Sequence, residues 1–353
     1  MRKTILYILL LAVLGYGVYY FLFAKREGGF PVEEAGFTVK DTASIGKIFI
    51  VSAAGKSVLV ERTDSGWIVN KKYKVLKAPL RGLLRVLCEQ TPLYPVPHSM
   101  HNTVVSSMAG TAIKVELDDR KGEKMRVFYI GGETKDFGGT YMLLEGAKRP
   151  YVVNMPGFKG YLAPFYTFSE GDWRDRTIFD LSPAQIKGIS VQYPEHPLNS
   201  FVLKAGQDKP SVEANHDIMH MGSLNQRRAS VYLKFFENVN CEGYLSGFKD
   251  MDSTLKAMPK YCSIELSGKQ GQFQHLDIYW MPLNRRSKNI TAPSPDVPDN
   301  KYDADRFYAV MNNYRDTIMI QRSVFNKIFR SAYEFYQADE VEPLKILPES
   351  VKK

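Results

Sequence analysis

The chain has 353 residues, 44% of them hydrophobic and 24% charged, which is the composition of an ordinary folded protein about two domains long and excludes collagen-like and disordered classes. Its net charge of +9 is spread along the chain. No block of five Lys or Arg and no basic stripe interleaved with aromatics occurs, so nucleic acid is not an expected partner.

The first element is an apolar segment. Arg2 and Lys3 precede an uncharged run from Thr4 to Ala24, which as a helix would be about 31 Å long, the thickness of a hydrocarbon core. Tyr16, Tyr19 and Tyr20, then Lys25 and Arg26, resemble an interfacial belt with a charged stop. A cleaved signal peptide would have a shorter apolar core and a small-residue cleavage site. The run is therefore expected to be an uncleaved signal anchor at residues 4–24. Residues 1–3 would be cytoplasmic and residues 25–353 would form a periplasmic domain of a single-pass protein of the bacterial inner membrane. Ala12, Gly15 and Gly17 are small enough to let another transmembrane helix approach.

After a linker at 25–44, period-two alternation predicts strands at 47–52, 56–61 and 66–70. Leu80, Leu83, Leu84 and Leu87 have the spacing of one apolar helix face over 78–90. Two hairpins follow, around "DDRKGE" and "GAKR", then a short helix over 157–168 broken by Gly160 and Pro164. The order then returns. Strands are expected at 188–193, 200–205 and 210–214. A helix is expected over 229–240, with Tyr232, Phe235, Phe236 and Val239 on one face. Two more hairpins and a closing helix from "SVFNKIFRSAYEFY" complete the chain. "TYMLLEGAKRPYVV" aligns with "RFYAVMNNYRDTIM", setting Arg149 opposite Arg315. The expected fold is therefore α+β: two tandem, mainly antiparallel sheet-plus-helix units arising from an internal duplication. They occupy 45–170 and 187–340, with a junction at 171–186 and a tail at 341–353.

"GKSVLVERTDSGWIVN", "IKVELDDRKGEKMRVFYIGGETKDFGGTYMLLEG", "VVNMPGFKGYLAPF" and "RDRTIFDL" resemble the bacterial family known as domain of unknown function 4340, over residues 45–190. The second half resembles it in element order alone. The resemblance implies a membrane-tethered extracytoplasmic protein, met beside ABC-type transporters and gliding-type machinery. It implies no activity, catalytic residue or cofactor.

Candidate sites are few. His216 and His220 are spaced to share a helix face as metal ligands do, but no Glu follows the first and no third ligand is evident; a metal-dependent hydrolase built on them is the outlying alternative. His98 and His101 have Pro95 and Pro97 beside them, which oppose a helix. "IGGETKDFGGT" is Gly-rich but runs strand to strand, unlike a phosphate loop. Cys241 and Cys262 are open to either a bridge or two buried thiols. The 284–303 loop, with Arg285, Arg286 and Lys288, is the expected partner contact. In "GDWRDRTIFDLSP", Trp173, Ile178 and Phe179 are expected to wedge between the units, with Arg174 and Arg176 pairing with Asp172, Asp175 or Asp180. Ser182, Pro183 and Gln185 predict a short helical turn there. The function expected is binding or scaffolding in an envelope complex, without catalysis or cofactor. The partners would be envelope or inner-membrane proteins such as ABC-type transporter components, and lipid through residues 4–24.

Overall fold

In a computed structural model, the described residues are 13–16, 30–207, 209–214, 216–219, 222–245, 250–290, 301–311 and 316–336. The chain divides at Asp175/Arg176 into two compact units, inside the expected 171–186 junction. Of the expected anchor, only residues 13–16 are described; they are helical. Among the described residues no helix is long and apolar enough to cross a membrane. The rest of segment 4–24 and the 341–353 tail lie outside the described residues.

The first unit is α+β, built on an antiparallel nine-stranded sheet. Its strands are β1 (Ile45–Ser52), β2 (Ser57–Thr63), β3 (Gly66–Val69), β4 (Tyr73–Lys74), β5 (Thr91–Pro95), β6 (Ile113–Asp119), β7 (Lys124–Glu133), β8 (Thr140–Leu144) and β9 (Tyr151–Asn154), in the order β4-β3-β2-β1-β6-β7-β8-β9-β5. Alternation sends Ile48, Ile50, Val115, Leu117, Phe128 and Ile130 to one face. There they share a buried cluster with Leu80, Leu83, Val86 and Leu87 of the Lys77–Glu89 helix. Fully burying a side chain of this kind is worth about 1.5–3 kcal/mol, so this face accounts for most of the unit's stabilisation. The other face carries a smaller cluster, where Val104 and Met108 of the His98–Thr111 helix meet Val152.

The second unit is an eight-stranded antiparallel sheet. Its strands are β11 (Ile186–Gln192), β12 (Phe201–Lys204), β13 (Ser211–Ala214), β15 (Gly243–Tyr244), β16 (Lys260–Gly268), β17 (Phe273–Pro282), β18 (Tyr302–Met311) and β19 (Asp316–Gln321), ordered β13-β12-β11-β16-β17-β18-β19-β15. A separate pair joins β10 (Thr177–Phe179) to β14 (Val239–Asn240). The core face carries Ile189, Val191, Ile264, Leu266, Leu276 and Ile278, in one cluster with Tyr232 and Phe236.

Apart from β4, the two strand orders are the same. Register repeats as well. Ile48 faces Leu117 as Ile189 faces Leu266, and Glu116 faces Val127 as Glu265 faces His275. Both β1–β6 and β11–β16 shift register at the same place, between Ile45 and Lys47 and between Ile186 and Gly188.

Several expectations are corrected. The His98–Thr111 helix was not anticipated; Pro97 precedes its first residue, where a missing N–H costs nothing. Residues 157–168 contain only a 3-10 turn, Ala163–Phe165. The 229–240 helix instead spans Gln226–Leu233 and tightens to a 3-10 turn through Phe236. Asn238 then takes a left-handed φ of 51°, and Val239 pairs with Phe179 in a strand. The closing helix is two short pieces, Arg322–Phe325 and Tyr333–Tyr336. The β8–β9 and β18–β19 sequences correspond one residue away from the alignment above. Met142 faces Ile130 and Ala309 faces Ile278, so Tyr141 corresponds to Tyr308 and not to Phe307. A slip of one residue exchanges the two faces of a strand. Arg315 lies outside the described residues.

Candidate functional site

From Gln90 to Ile113 the chain contains no Asp, Glu, Lys or Arg. This 24-residue run is longer than the N-terminal one, in a chain where one residue in four is charged. It forms edge strand β5 and the His98–Thr111 helix, so charge is missing from one contiguous part of the first unit. Pro92 and Pro95 deny N–H groups to the edge strand, a way of protecting an edge without charge. Leu93 and Tyr94 are 40% and 45% exposed on it. The helix buries only Val104 and Met108. Met100 packs partly buried against the same cluster, and the exposed side chains are small or polar with no Asp, Glu, Lys or Arg, whereas surface helices ordinarily carry charge on the face away from the core.

Beside this helix runs a groove of about 400 Å³, with Val105, Met108, Ala109 and Ala112 on one wall and Val51, Tyr129 and Leu143 on the sheet side. That is within the size range of small-ligand and side-chain pockets. Lys114 also lines it. Its Nζ lies 2.7 Å from Glu116 and 3.8 Å from Glu145, and 6.0 Å from the Tyr129 ring centroid. The hydrogen bond to Glu116 raises the Lys114 pKa above its ordinary value, and the same bond lowers that of Glu116. The groove is therefore largely apolar, and the one Lys in its lining is paired with Glu116 and Glu145.

The corresponding face of the second unit is polar. Where the first has Tyr129, the second has Asp277, only 2% exposed at its side chain. Its Oδ1 accepts from Ser263 Oγ at 2.6 Å and Lys260 Nζ at 2.9 Å. His275 Nε2 lies 3.2 Å from the same oxygen, and its Nδ1 lies 3.1 Å from Glu265. Ser263 donates to the carboxylate and not to the imidazole, so this is not a serine activated by a histidine. Cys262 faces the core beside it, its thiol pKa pushed up by burial. The alternation of polar Ser263, Glu265, His275 and Asp277 with apolar Cys262, Ile264, Leu266, Leu276 and Ile278 is visible in the sequence. So is the uncharged run. Sequence reasoning singled out neither.

The residues singled out from sequence fall elsewhere. His216 is in a four-residue helix, His216–Met219, and His220 lies outside the described residues. Among the described residues no three His, Cys, Asp or Glu are arranged to hold a metal. His98 and His101 are in the first turn of the outer helix, contrary to the reading from Pro95 and Pro97. Cys241 and Cys262 are buried free thiols. Arg285 and Arg286 are exposed on a short helix, Arg285–Ile290, whose start is capped by Asn284 accepting from the Arg286 and Ser287 amides. The Lys288 side chain and residues 291–300 lie outside the described residues.

At the junction, Trp173 belongs to the first unit's buried cluster, and Ile178 and Phe179 to the second's. The Trp173 indole donates to the Thr167 carbonyl at 2.8 Å. Arg174 is buried, with its guanidinium 3.5 Å from the Tyr73 ring centroid and 3.8 Å from Glu170. The Arg176 carbonyl accepts from the Cys241 amide at 2.8 Å, and Asp180 Oδ1 from the Asn238 amide at 3.2 Å. Asp172 accepts from Thr167 at 2.6 Å and Asp175 lies 3.7 Å from Lys74. Ser182 donates its amide and hydroxyl to Gln185 Oε1, but the chain makes a single turn and enters β11 at Ile186 without a helix.

Residues 99–258 match a domain of unknown function, DUF4340. The match begins at the second residue of the outer helix, crosses the Asp175/Arg176 division and ends just after the Met251–Ala257 helix. It covers somewhat less than half of the chain. Residues 45–98, over which the resemblance was also read, are outside it. DUF4340 carries no activity to transfer. No curated protein and no solved structure matches the chain.

Proposed function

We propose that this chain is a tethered binding or scaffold protein of a bacterial envelope complex, without catalysis. Residues 4–24 hold it in the inner membrane, with the N-terminus cytoplasmic and the two units outside. The observation that carries the binding role is the 90–113 segment of the first unit, which has no Asp, Glu, Lys or Arg, with the groove beside its His98–Thr111 helix. Depletion of charge with exposed aromatic and aliphatic residues is the composition of an interface core. The tether is supported by the uncharged run from Thr4 to Ala24 and by the flanking charges.

A photo-crosslinking amino acid placed at Ala109 in cells tests the binding role. A discrete protein adduct is expected from intact membranes. If Ala109 yields none while a site in the 284–303 loop does, the contact belongs to that loop and the groove reading fails. An adduct with a transporter subunit would make the chain an auxiliary component of an ABC-type system. Extraction at alkaline pH tests the tether: the full chain should stay with the membrane, and a chain lacking 1–24 should not.

A further inference from the structure

We infer that the partner seated on the 90–113 segment is a second copy of this chain, so that the first unit makes a symmetric dimer through its outer helix; this rests on the binding role proposed above. The argument is electrostatic. With a net charge of +9, two copies repel wherever charged surfaces meet. A two-fold interface brings each surface patch against itself, so any charge near its centre faces its own kind. The patch built from residues 90–113 has no Asp, Glu, Lys or Arg to oppose, and Lys114, which lines the groove beside it, is paired with Glu116 and Glu145. Exposed Ser106, Ala109 and Gly110 on the helix give the short side chains that let two helices approach closely. The exposed Leu93 and Tyr94 supply apolar side chains, and the groove supplies an apolar receptor. Size is adequate. A standard interface takes about 800 Å² per partner, a patch about 28 Å across. The helix is about 21 Å long, and β5 and the groove widen it.

The corresponding region of the second unit does not meet these conditions. Its Met251–Ala257 helix carries Asp252 and Lys256, and its sheet face carries His275 and Asp277 where the first unit has Val127 and Tyr129. Self-pairing is therefore assigned to the first unit alone.

The test uses the full chain, in mild detergent and in membranes, with Cys88 replaced by Ser because it is the exposed thiol. Ala109→Cys should form an oxidative crosslink at twice the mass of one chain. Light scattering should show a dimer whose population rises with salt, since screening removes the repulsion and leaves the uncharged contact intact. Ala109→Glu and Ser106→Lys should each weaken the dimer at least about tenfold, because a like charge then faces itself at the interface. Val231→Glu, at an exposed position of the second unit, should leave it unchanged. A wild-type chain that stays monomeric at tens of micromolar in high salt would overturn the inference. So would an Ala109 adduct with a different protein, which would leave the binding role standing. Loss of every adduct would remove both.

Discussion

The two units share a strand order and a register, and they differ on one face. On the core face, equivalent positions are filled with like residues: Ile48 and Ile189, Leu117 and Leu266, Val115 and Ile264, Phe128 and Leu276. On the other face the equivalents diverge. Phe49 corresponds to Ser190, Val51 to Gln192 and Tyr129 to Asp277. A sheet needs one apolar face to hold a layer against it, and that requirement holds the core face to aliphatic and aromatic residues in both units. The opposite face is free to vary. In the first unit it carries a largely apolar groove with the Lys114–Glu116 pair beside it, and in the second a buried carboxylate bonded by Lys260 and Ser263 with His275 beside it. The repeat thus acts as an internal control, because a residue that departs from its counterpart without a core reason marks a local requirement.

The sharpest test of the division at Asp175/Arg176 is to empty each core separately. Trp173→Ala removes a fully buried indole and should cost the first unit about 3–5 kcal/mol. Hydrogen exchange followed by mass spectrometry should show loss of protection over residues 45–170 and little change beyond 186. Phe179→Ala, buried against Phe236 with ring centroids 5.3 Å apart, should show the reverse. Equal loss of protection in both units from either change would mean that the two cores melt together.

The carboxylate of the second unit comes next in size. Asp277→Ala leaves Lys260, Ser263 and His275 without their shared acceptor and should destabilise that unit by about 3 kcal/mol. The corresponding change in the first unit, Tyr129→Ala, removes a half-buried ring and should cost less. Urea titration of both variants compares them directly, and a larger effect from Tyr129 would reverse the assignment of which face is held by charge.

Gly139 and Arg306 are counterparts three residues before Met142 and Ala309. A Cβ on Gly139 would lie 2.6 Å from Val152 Cγ1 and 2.9 Å from the Val153 carbonyl, so Gly139→Ala should cost about 1–3 kcal/mol. Arg306 at the same place extends a full side chain, whose Nε donates to Glu242 at 2.6 Å. A thermal melt in which Gly139→Ala is neutral would show that the β7–β8 connection has the slack that the second unit uses for its arginine.

What could be read from the sequence follows from this contrast. Period-two alternation and the Leu80–Leu87 spacing are local signals, and they located the inner strands, the core helix and the repeat. The strands that were missed depend on distant partners. β14 exists because Val239 meets Phe179, and β5 because Thr91–Pro95 lies against Tyr151–Asn154. The outer helix was hidden by Pro97, which stands before a helix as readily as it opposes one. The groove is made by that helix over β7 and β8, so no reading that left out the helix could have found it. The uncharged run was available, but periodicity does not register a missing residue class.

The smallest expected effect concerns the ion pairs beside the groove. Bonding to Lys114 and Lys124 lowers the Glu116 pKa from its ordinary value. A depressed carboxyl contributes stability above its unfolded pKa and loses it as pH falls through the folded value. Lys114 is raised, so its contribution persists until pH climbs past the ordinary range of a lysine. Between these limits the Lys114–Glu116 pair is charged. Glu116→Gln should therefore flatten the acid limb of the first unit's stability curve below about pH 5, while the second unit serves as the reference within the same molecule. The difference at neutral pH should be about 0.5 kcal/mol, since the pairs are partly exposed, and it should shrink in high salt. Hydrogen exchange of the first unit across pH 3 to 7 measures it. An acid limb identical in wild type and variant would show that Glu116 contributes no proton linkage, and that this part of the groove is held by packing around Tyr129.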